Sequence, residues 1–447
     1  MSASLPSAPA PLPPAPAAGG LFAGARAAFA IGRVRWSMLG LVFLATTLNY
    51  VDRAALGIMQ PVLSAAMHWT AQDYADINFW FQVGYAVGYI LQGRLIDRIG
   101  VKWAFAGAVV VWSVAAAGHG LATSVAGFMI ARFFLGLSEA GNYPSCVKTT
   151  RLWFPARERA MAAGIFNAGT NVGAMMTPLL VPMLLSVWGW QSTFFLIGAV
   201  GLLWAVAWLR RYHDPEQHPT VTAAERQYIE QDQEPTVAPM SMLQVLRLRA
   251  TWAYALANAL AAPVFWFYLY WLPPYLNKTF GLGISVTKMG LPLIVIYLAA
   301  DVGSIAGGWL SSRMIGAGMR AIPARMWSML VCALLIAPIV FASGADSVWE
   351  AVAYLSLAIA AHQAWTANVW SLAMDTSAKS AVSSVFGFGG MCGAIGGMFM
   401  TQLVGWVLTT TNNDYRVLFT MIPCAYAIAL VWVFFVAPRR IETPKGA

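Results

Sequence analysis

GRLIDRIGVK, Gly93 to Lys102, separates two apolar runs, and GGWLSSRMIGAGMR, Gly307 to Arg320, stands at the corresponding place later in the chain as a degenerate copy of it. The runs on either side of both loops are roughly 20 residues or longer, enough for a helix to cross the hydrocarbon core of a bilayer. A polar loop repeated between apolar runs divides the chain into two similar parts.

Composition excludes the soluble classes. Of 447 residues, 59% are hydrophobic and 10% charged, with a mean hydropathy of +0.64, whereas a soluble domain carries about a quarter charged residues. Cys146, Cys332, Cys392 and Cys424 fall in or beside apolar segments without paired spacing, which indicates neither a disulfide frame nor a metal site. There is no phosphate loop and no nucleotide domain, so no cofactor is expected and ATP-driven chemistry is not indicated. The glycines of GFGGMCGAIGG, residues 387–397, permit close helix approach and are not a nucleotide motif.

Read in order, the apolar spans are 35–66, 72–97, 102–122, 124–150, 157–186 and 191–211, then 247–277, 285–313, 320–343, 347–375, 379–409 and 414–437. The expected fold is an all-α membrane protein of twelve transmembrane helices in two six-helix, pseudo-symmetric halves, 35–211 and 247–437. Residues 212–246, which contain TAAERQYIEQDQE, are the interdomain linker. Residues 1–34 are Pro/Ala/Ser-rich and lack the basic start and apolar core of a signal peptide; they are expected to be a disordered tail, with a second tail at 438–447. Of the 27 basic residues, only Lys278, Lys288 and Arg416 fall in or beside the loops opposite the termini, and only Arg53 and Arg132 lie deep in the membrane, away from span ends. Both termini and the linker are therefore expected in the cytoplasm, and the net charge of +9 reflects topology rather than nucleic-acid binding.

RFFLGLSEAGNY, Arg132 to Tyr143, places an arginine and a glutamate seven residues apart in an apolar span, so that Arg132, Gly136, Glu139 and Tyr143 share one helical stripe. An ionised side chain at mid-bilayer costs about 2.5–3.5 kcal/mol on insertion scales. Such charges persist where they have partners, either along a solute or proton pathway or in a structural salt bridge. Span 1 adds Asn49, Tyr50, Asp52 and Arg53, with Arg53 on one face and Asp52 turned about 100° away.

The residues also carry a resemblance. Gly93, Leu95, Asp97, Arg98, Gly100 and Lys102 resemble the signature loop of the major facilitator superfamily, with Val101 where a second arginine is usual. NYVDR in span 1, RFFLGLSEAGNYP in span 4, FWFYLYWLPPYL in span 7 and AHQAWTAN in span 10 together resemble its anion:cation symporter family, most closely the bacterial hexuronate transporters. The resemblance covers Arg35 to about Ala437. It implies a transporter of the inner membrane, not an enzyme, that acts as a monomer on a small organic anion and protons.

The resemblance also assigns roles. Arg53 and Arg132 would sense the substrate carboxylate, since a guanidinium fork matches it. Asp52 and Glu139 would couple protons. Asp97 and Arg98 would form a cytoplasmic gate rather than a binding site. Tyr50 and Tyr85 are the implied ring contacts, while Asn78 and Gln82 on the same span-2 stripe suit sugar hydroxyls or helix-to-helix bonding equally. Asn167, Thr170 and Asn171 form a comparable stripe in span 5. From the second half, Tyr268, Trp271 and Tyr275, with His362, Gln363 and Asn368, would cover the ring from the other side. Trp271 and Tyr275 also suit membrane-interface anchors, and His362 suits a satisfied core histidine as well as a relay. Asp301, in mid-span 8, has no evident local partner.

Asp52, Arg53, Arg132 and Glu139 sum to zero charge, so a monoanion entering the cavity calls for a proton on Glu139 or Asp52. The expected function is proton-coupled import of a sugar acid, a hexuronate such as galacturonate or glucuronate, by alternating access. Another organic anion (aldonate, aldarate or aromatic acid) on the same scaffold, or a non-transporting membrane sensor, are the alternatives.

Overall fold

The computed structural model describes residues 33–230, 240, 242–283, 285–377 and 381–440. Almost all of the tail expected at 1–34, residues 231–239 and 241 of the linker, and 441–447 of the second tail lie outside them.

The described residues are mostly helical and cross the bundle twelve times. Crossing 1 is α1, Val34–Met67. Crossings 2 and 3 are the two arms of α2, Ala71–His119, which reverses at Gly100 (φ 80°, ψ 161°), a conformation that glycine adopts without a Cβ clash. This is the glycine of GRLIDRIG. Thr70 starts α2 with a capping box: its hydroxyl accepts from Asp73 N at 3.1 Å and its own N donates to the Asp73 carboxylate at 2.8 Å. Crossing 4 is split into α3, Val125–Glu139, and α4, Asn142–Trp153. Pro144 lacks an N–H and its ring crowds the carbonyl of Ala140, which ends α3 just after Glu139. Crossings 5 and 6 are the arms of α5, Ala156–Arg211, reversing at Gly189 (φ 76°).

In the linker, α6, Ala223–Glu230, docks on the first half. Arg35 N donates to Glu225 at 3.2 Å, the Arg35 guanidinium lies 3.8 Å from Glu158 and 4.4 Å over the Tyr228 ring, and Tyr228 bonds to Glu158. A short α7, Met242–Leu246, leads into the second half. Crossings 7 to 12 are α8, Arg249–Phe280; α9, Leu291–Gly316, entered through a π-turn at Val286–Gly290; α10, Ala321–Ile336, extended by a 3-10 segment Ala337–Gly344; α11, Val348–Thr376; α12, Val382–Thr410; and α13, Arg416–Val436.

Among the described residues eight helices are long and apolar enough to cross a membrane, one of them the double crossing Met161–Arg211. Crossings 2, 4 and 10 fall outside that set, and these hold Asn78 and Gln82, Arg132 and Glu139, and His362, Gln363 and Asn368. Polar residues are thus concentrated in helices whose polar faces turn inward. Outward, apolar side chains dominate, with Leu203, Ile305 and Phe399 at 70–75% exposure, a surface suited to lipid.

An even number of crossings puts both described ends on one side, the terminal side; the opposite side is the far side. Side-chain bonds between the two sets of six crossings cluster from the far side to mid-membrane. Gln72 donates to Gln402 at 2.7 Å, Gln402 to Asp76 at 2.9 Å, Tyr74 to Tyr270 O at 2.9 Å and Gln82 to Thr401 at 2.7 Å. On the terminal side the ion pairs stay within each half: Lys148 with Asp97 at 2.7 Å and Arg325 with Asp375 at 3.3 Å. The molecule is closed on its far side.

Candidate functional site

Two glycines fix the frame of the site. A Cβ on Gly136 of α3 would lie 2.0 Å from Phe81 O, so crossings 2 and 4 meet backbone to backbone beside the Arg132 and Glu139 turns. A Cβ on Gly173 would lie 2.4 Å from Thr47 O and 2.7 Å from Tyr50 Cβ, which seats crossing 5 against crossing 1.

Within this frame Asp52, Arg53, Arg132 and Glu139 are all buried, none more than 6% exposed. Arg53 Nε and Nη2 both donate to Glu139 Oε2, at 3.0 and 2.8 Å, and Nη2 also donates to Asn49 Oδ1 at 3.1 Å. Its guanidinium carbon sits 4.9, 5.3, 4.8 and 5.1 Å from the rings of Tyr50, Phe81, Tyr85 and Trp266. Arg53 is therefore held by one carboxylate oxygen and an aromatic cage, and Trp266 of the second half supplies one wall. Arg132 Nη2 donates to Arg53 O at 3.4 Å, and the guanidinium lies 5.4 Å from Phe81 and 6.0 Å from Tyr270.

The cluster is incompletely satisfied. Arg132 Nε and Nη1, Glu139 Oε1 and Asp52 Oδ1 are buried with no hydrogen-bond partner among the described residues. A buried donor left unpaired costs about 1–3 kcal/mol, more when charged. Chemically, unpaired guanidinium donors can bind an anion, and unpaired carboxylate oxygens can take a proton.

The other residues read from the sequence divide by position. Tyr50 and Tyr85 lie in the cage, Tyr85 also bonding to Tyr89 at 3.3 Å. Gln82 bridges the halves through Thr401 and leaves its Oε1 unpaired; Asn78 donates to Tyr74 O at 2.9 Å, within its own helix. Asn171 donates to Asp301 of the second half. Trp271 packs edge-on to Tyr74 at 5.0 Å in the far-side closure, one turn beyond the cage. His362 is buried, bonded to Tyr426 and stacked on Phe265 at 6.0 Å, inside the second half. Asn368 donates to Gly307 O and Ala364 O at 3.1 and 2.9 Å, tying crossing 10 to crossing 8. Gln363 is half-buried and makes no side-chain hydrogen bond among the described residues. Asp97 is paired at the terminal side with a side chain 77% exposed, and Arg98 is exposed.

Phe81, Trp266 and Tyr270 were not singled out by sequence reasoning. In FWFYLYWLPPYL aromatic residues occupy every face of the helix, so nothing in the run fixes which pair turns inward. The i, i+4 pair Trp266 and Tyr270 does so, while Tyr268 faces His362 at 6.4 Å and Tyr275 bonds to Ala342 O at 2.6 Å.

Known proteins agree with this architecture. The family model described as Major Facilitator Superfamily matches residues 42–401. The chain is 31% identical over 385 residues to a "Hexuronate transporter" of Escherichia coli (strain K12), covering 84% of this chain and 88% of that one. It is 33% identical over 287 residues to a "Galacturonate transporter" of Dickeya chrysanthemi, covering 63% of this chain and 83% of that one. In fold it is similar to a bacterial homologue of the human lysosomal transporter Spinster, solved inward-facing and unoccupied, with a TM-score of 0.68 at 18% identity over 90% of this chain and 95% of that one. Twelve crossings in two halves around a buried charge cluster, with these matches over most of the length, make the chain a member of the Major Facilitator Superfamily, a multi-pass membrane transporter and not an enzyme.

Proposed function

We propose that this transporter imports a hexuronate, galacturonate or glucuronate, together with protons, working as a monomer in the bacterial inner membrane with both termini cytoplasmic. One observation carries the reading: Glu139 occupies Arg53 through a single oxygen while the neighbouring Arg132 keeps two buried donors unpaired. A substrate carboxylate has donors waiting at Arg132 and competes with Glu139 for Arg53. Protonating Glu139 releases Arg53 and offsets the negative charge that the substrate brings. The relatives named as hexuronate and galacturonate transporters support the substrate class.

In the cycle, Asp52 is the second carboxylate able to take a proton. The cage of Tyr50, Phe81, Tyr85 and Trp266 offers the sugar ring an apolar face. With the terminal side as cytoplasm, the far-side contacts are the closed outer gate, and Asp97 and Arg98 belong to the opposite gate.

The test is uptake of radiolabelled galacturonate and glucuronate by proteoliposomes, with and without an inward proton gradient, for wild type and Glu139→Gln. Gradient-driven accumulation is expected for wild type. Glu139→Gln is expected to lose accumulation while keeping exchange at zero gradient. Equal, gradient-independent equilibration by both proteins would make this a facilitator.

A further inference from the structure

Asp301 has no part in the charge cluster, yet it is the carboxylate that the second half brings to the interface at mid-membrane. Its partner is the Asn171 amide of the first half, and no cation lies within ion-pairing distance of it among the described residues. The side chain is half-buried. In mid-span the lipid face would penalise a carboxylate by about 2.5–3.5 kcal/mol, which favours its opening toward the interface between the halves, where Asn171 already meets it. Gly173, two residues from Asn171, is packed onto Thr47 and Tyr50, and the Tyr50 ring lies against Arg53. Crossing 5 thus packs beside Tyr50 and the arginines through Gly173 and reaches Asp301 through Asn171, two residues earlier on the same helix.

We infer that Asp301 is a specificity residue that reads the end of the substrate opposite its carboxylate. The inference rests on the hexuronate reading above. A carboxylate accepts hydrogen bonds and donates none. A hexuronate whose acid group lies on Arg132 presents hydroxyls at its other end, and vicinal hydroxyls suit the two oxygens of Asp301 once they displace the Asn171 amide. An aldarate presents a second carboxylate there, which Asp301 repels in a poorly screened cavity. An acid without hydroxyls leaves Asp301 unpaired. One residue thereby favours a polyhydroxylated monoanion over both competitors, and substrate links the halves where Asn171 links them now.

The experiment measures inhibition of labelled galacturonate uptake by unlabelled galacturonate and galactarate, in proteoliposomes of wild type, Asp301→Asn and Asp301→Ser. Wild type is expected to prefer galacturonate. Asp301→Asn is expected to raise the galacturonate KM about tenfold, the worth of a hydrogen bond to a charged group, and to narrow the ratio of the two inhibition constants by at least as much. Asp301→Ser reads the same ratio should the amide variant not fold. A ratio that does not move while galacturonate uptake persists would overturn this inference and leave the proposed function standing. Equal use of both acids by wild type would also overturn it, and uptake of neither hexuronate by wild type would overturn both.

Discussion

At the residue scale the site turns on what each arginine is already doing. Arg53 is committed to Glu139, Asn49 and four rings, whereas Arg132 spends Nη2 on a backbone carbonyl at 3.4 Å and leaves Nε and Nη1 unpaired. Arg132→Lys preserves the charge and removes the planar fork. It is expected to raise the KM for galacturonate about tenfold or more with a smaller change in maximal rate, read from uptake at varied substrate. The buried charges were legible in the sequence because ionised residues are rare in apolar spans and costly there. Their satisfaction was not legible: which oxygen of Glu139 is used, and that Trp266 comes from the other half, depend on helix phase and on contacts between distant segments. His362 shows the same limit. The spacing marks a histidine in a span, but only packing reveals Tyr426 and Phe265 around it. Under the proposed symport, acidity outside acts through supply of the co-transported proton. Wild-type uptake is expected to rise as external pH falls below internal pH, and this slope is expected to flatten in Glu139→Gln, as measured across a series of imposed pH gradients.

At the scale of elements, the twelve apolar runs were readable as helices, and the polar loop Gly93 to Lys102 between the second and third contains the reversal, which the structure puts at Gly100. The break in crossing 4 was not foreseen: the run from 124 to 150 reads as one span, yet Pro144 and Gly141 divide it directly after Glu139. The linker, read only as polar, contains a helix whose Glu225 and Ile229 are buried against the first half. Crossings 2 and 4 illustrate how close packing places charges. Gly136→Ala would drive a Cβ to 2.0 Å from Phe81 O, a contact that only backbone displacement relieves. It is expected to destabilise the protein by about 1–3 kcal/mol and to depress uptake, because the displaced turn holds Arg132 and Glu139. Gly107→Ala, where the new Cβ meets nothing within 4 Å, is the matched control and is expected to stay within about 1 kcal/mol of wild type or gain slightly. Thermal unfolding in detergent, paired with uptake, separates the two.

At the scale of the whole molecule, alternating access requires that the far-side contacts break and the terminal side close, so the two arrangements must lie within a few kcal/mol of each other. The far-side seal has a polar outer edge, the Gln72–Gln402–Asp76 network, and an aromatic inner layer of Tyr74, Tyr270 and Trp271. Gln402→Ala removes two cross-half hydrogen bonds at the edge without touching the charge cluster. At about 0.5–1.5 kcal/mol each, their loss moves the equilibrium toward the far-side-open state by roughly five- to a hundredfold. With the terminal side cytoplasmic, as proposed, and a single cysteine in place of Trp271 in the inner layer, labelling from outside by a membrane-impermeant thiol reagent is expected to be severalfold faster with Gln402→Ala than in the same cysteine variant with Gln402 intact. A cysteine in place of Asp97, exposed on the terminal side, is expected to label no faster than before from that side. The substrate-free molecule would then spend less time closed outside. Because import alternates between the two openings, uptake at saturating substrate is expected to fall where reclosure of the far side limits the rate. Unchanged labelling at position 271 would mean that the remaining pair Tyr74 and Tyr270 holds the gate without the glutamines, and the glutamine network would then have no share in setting the conformational balance.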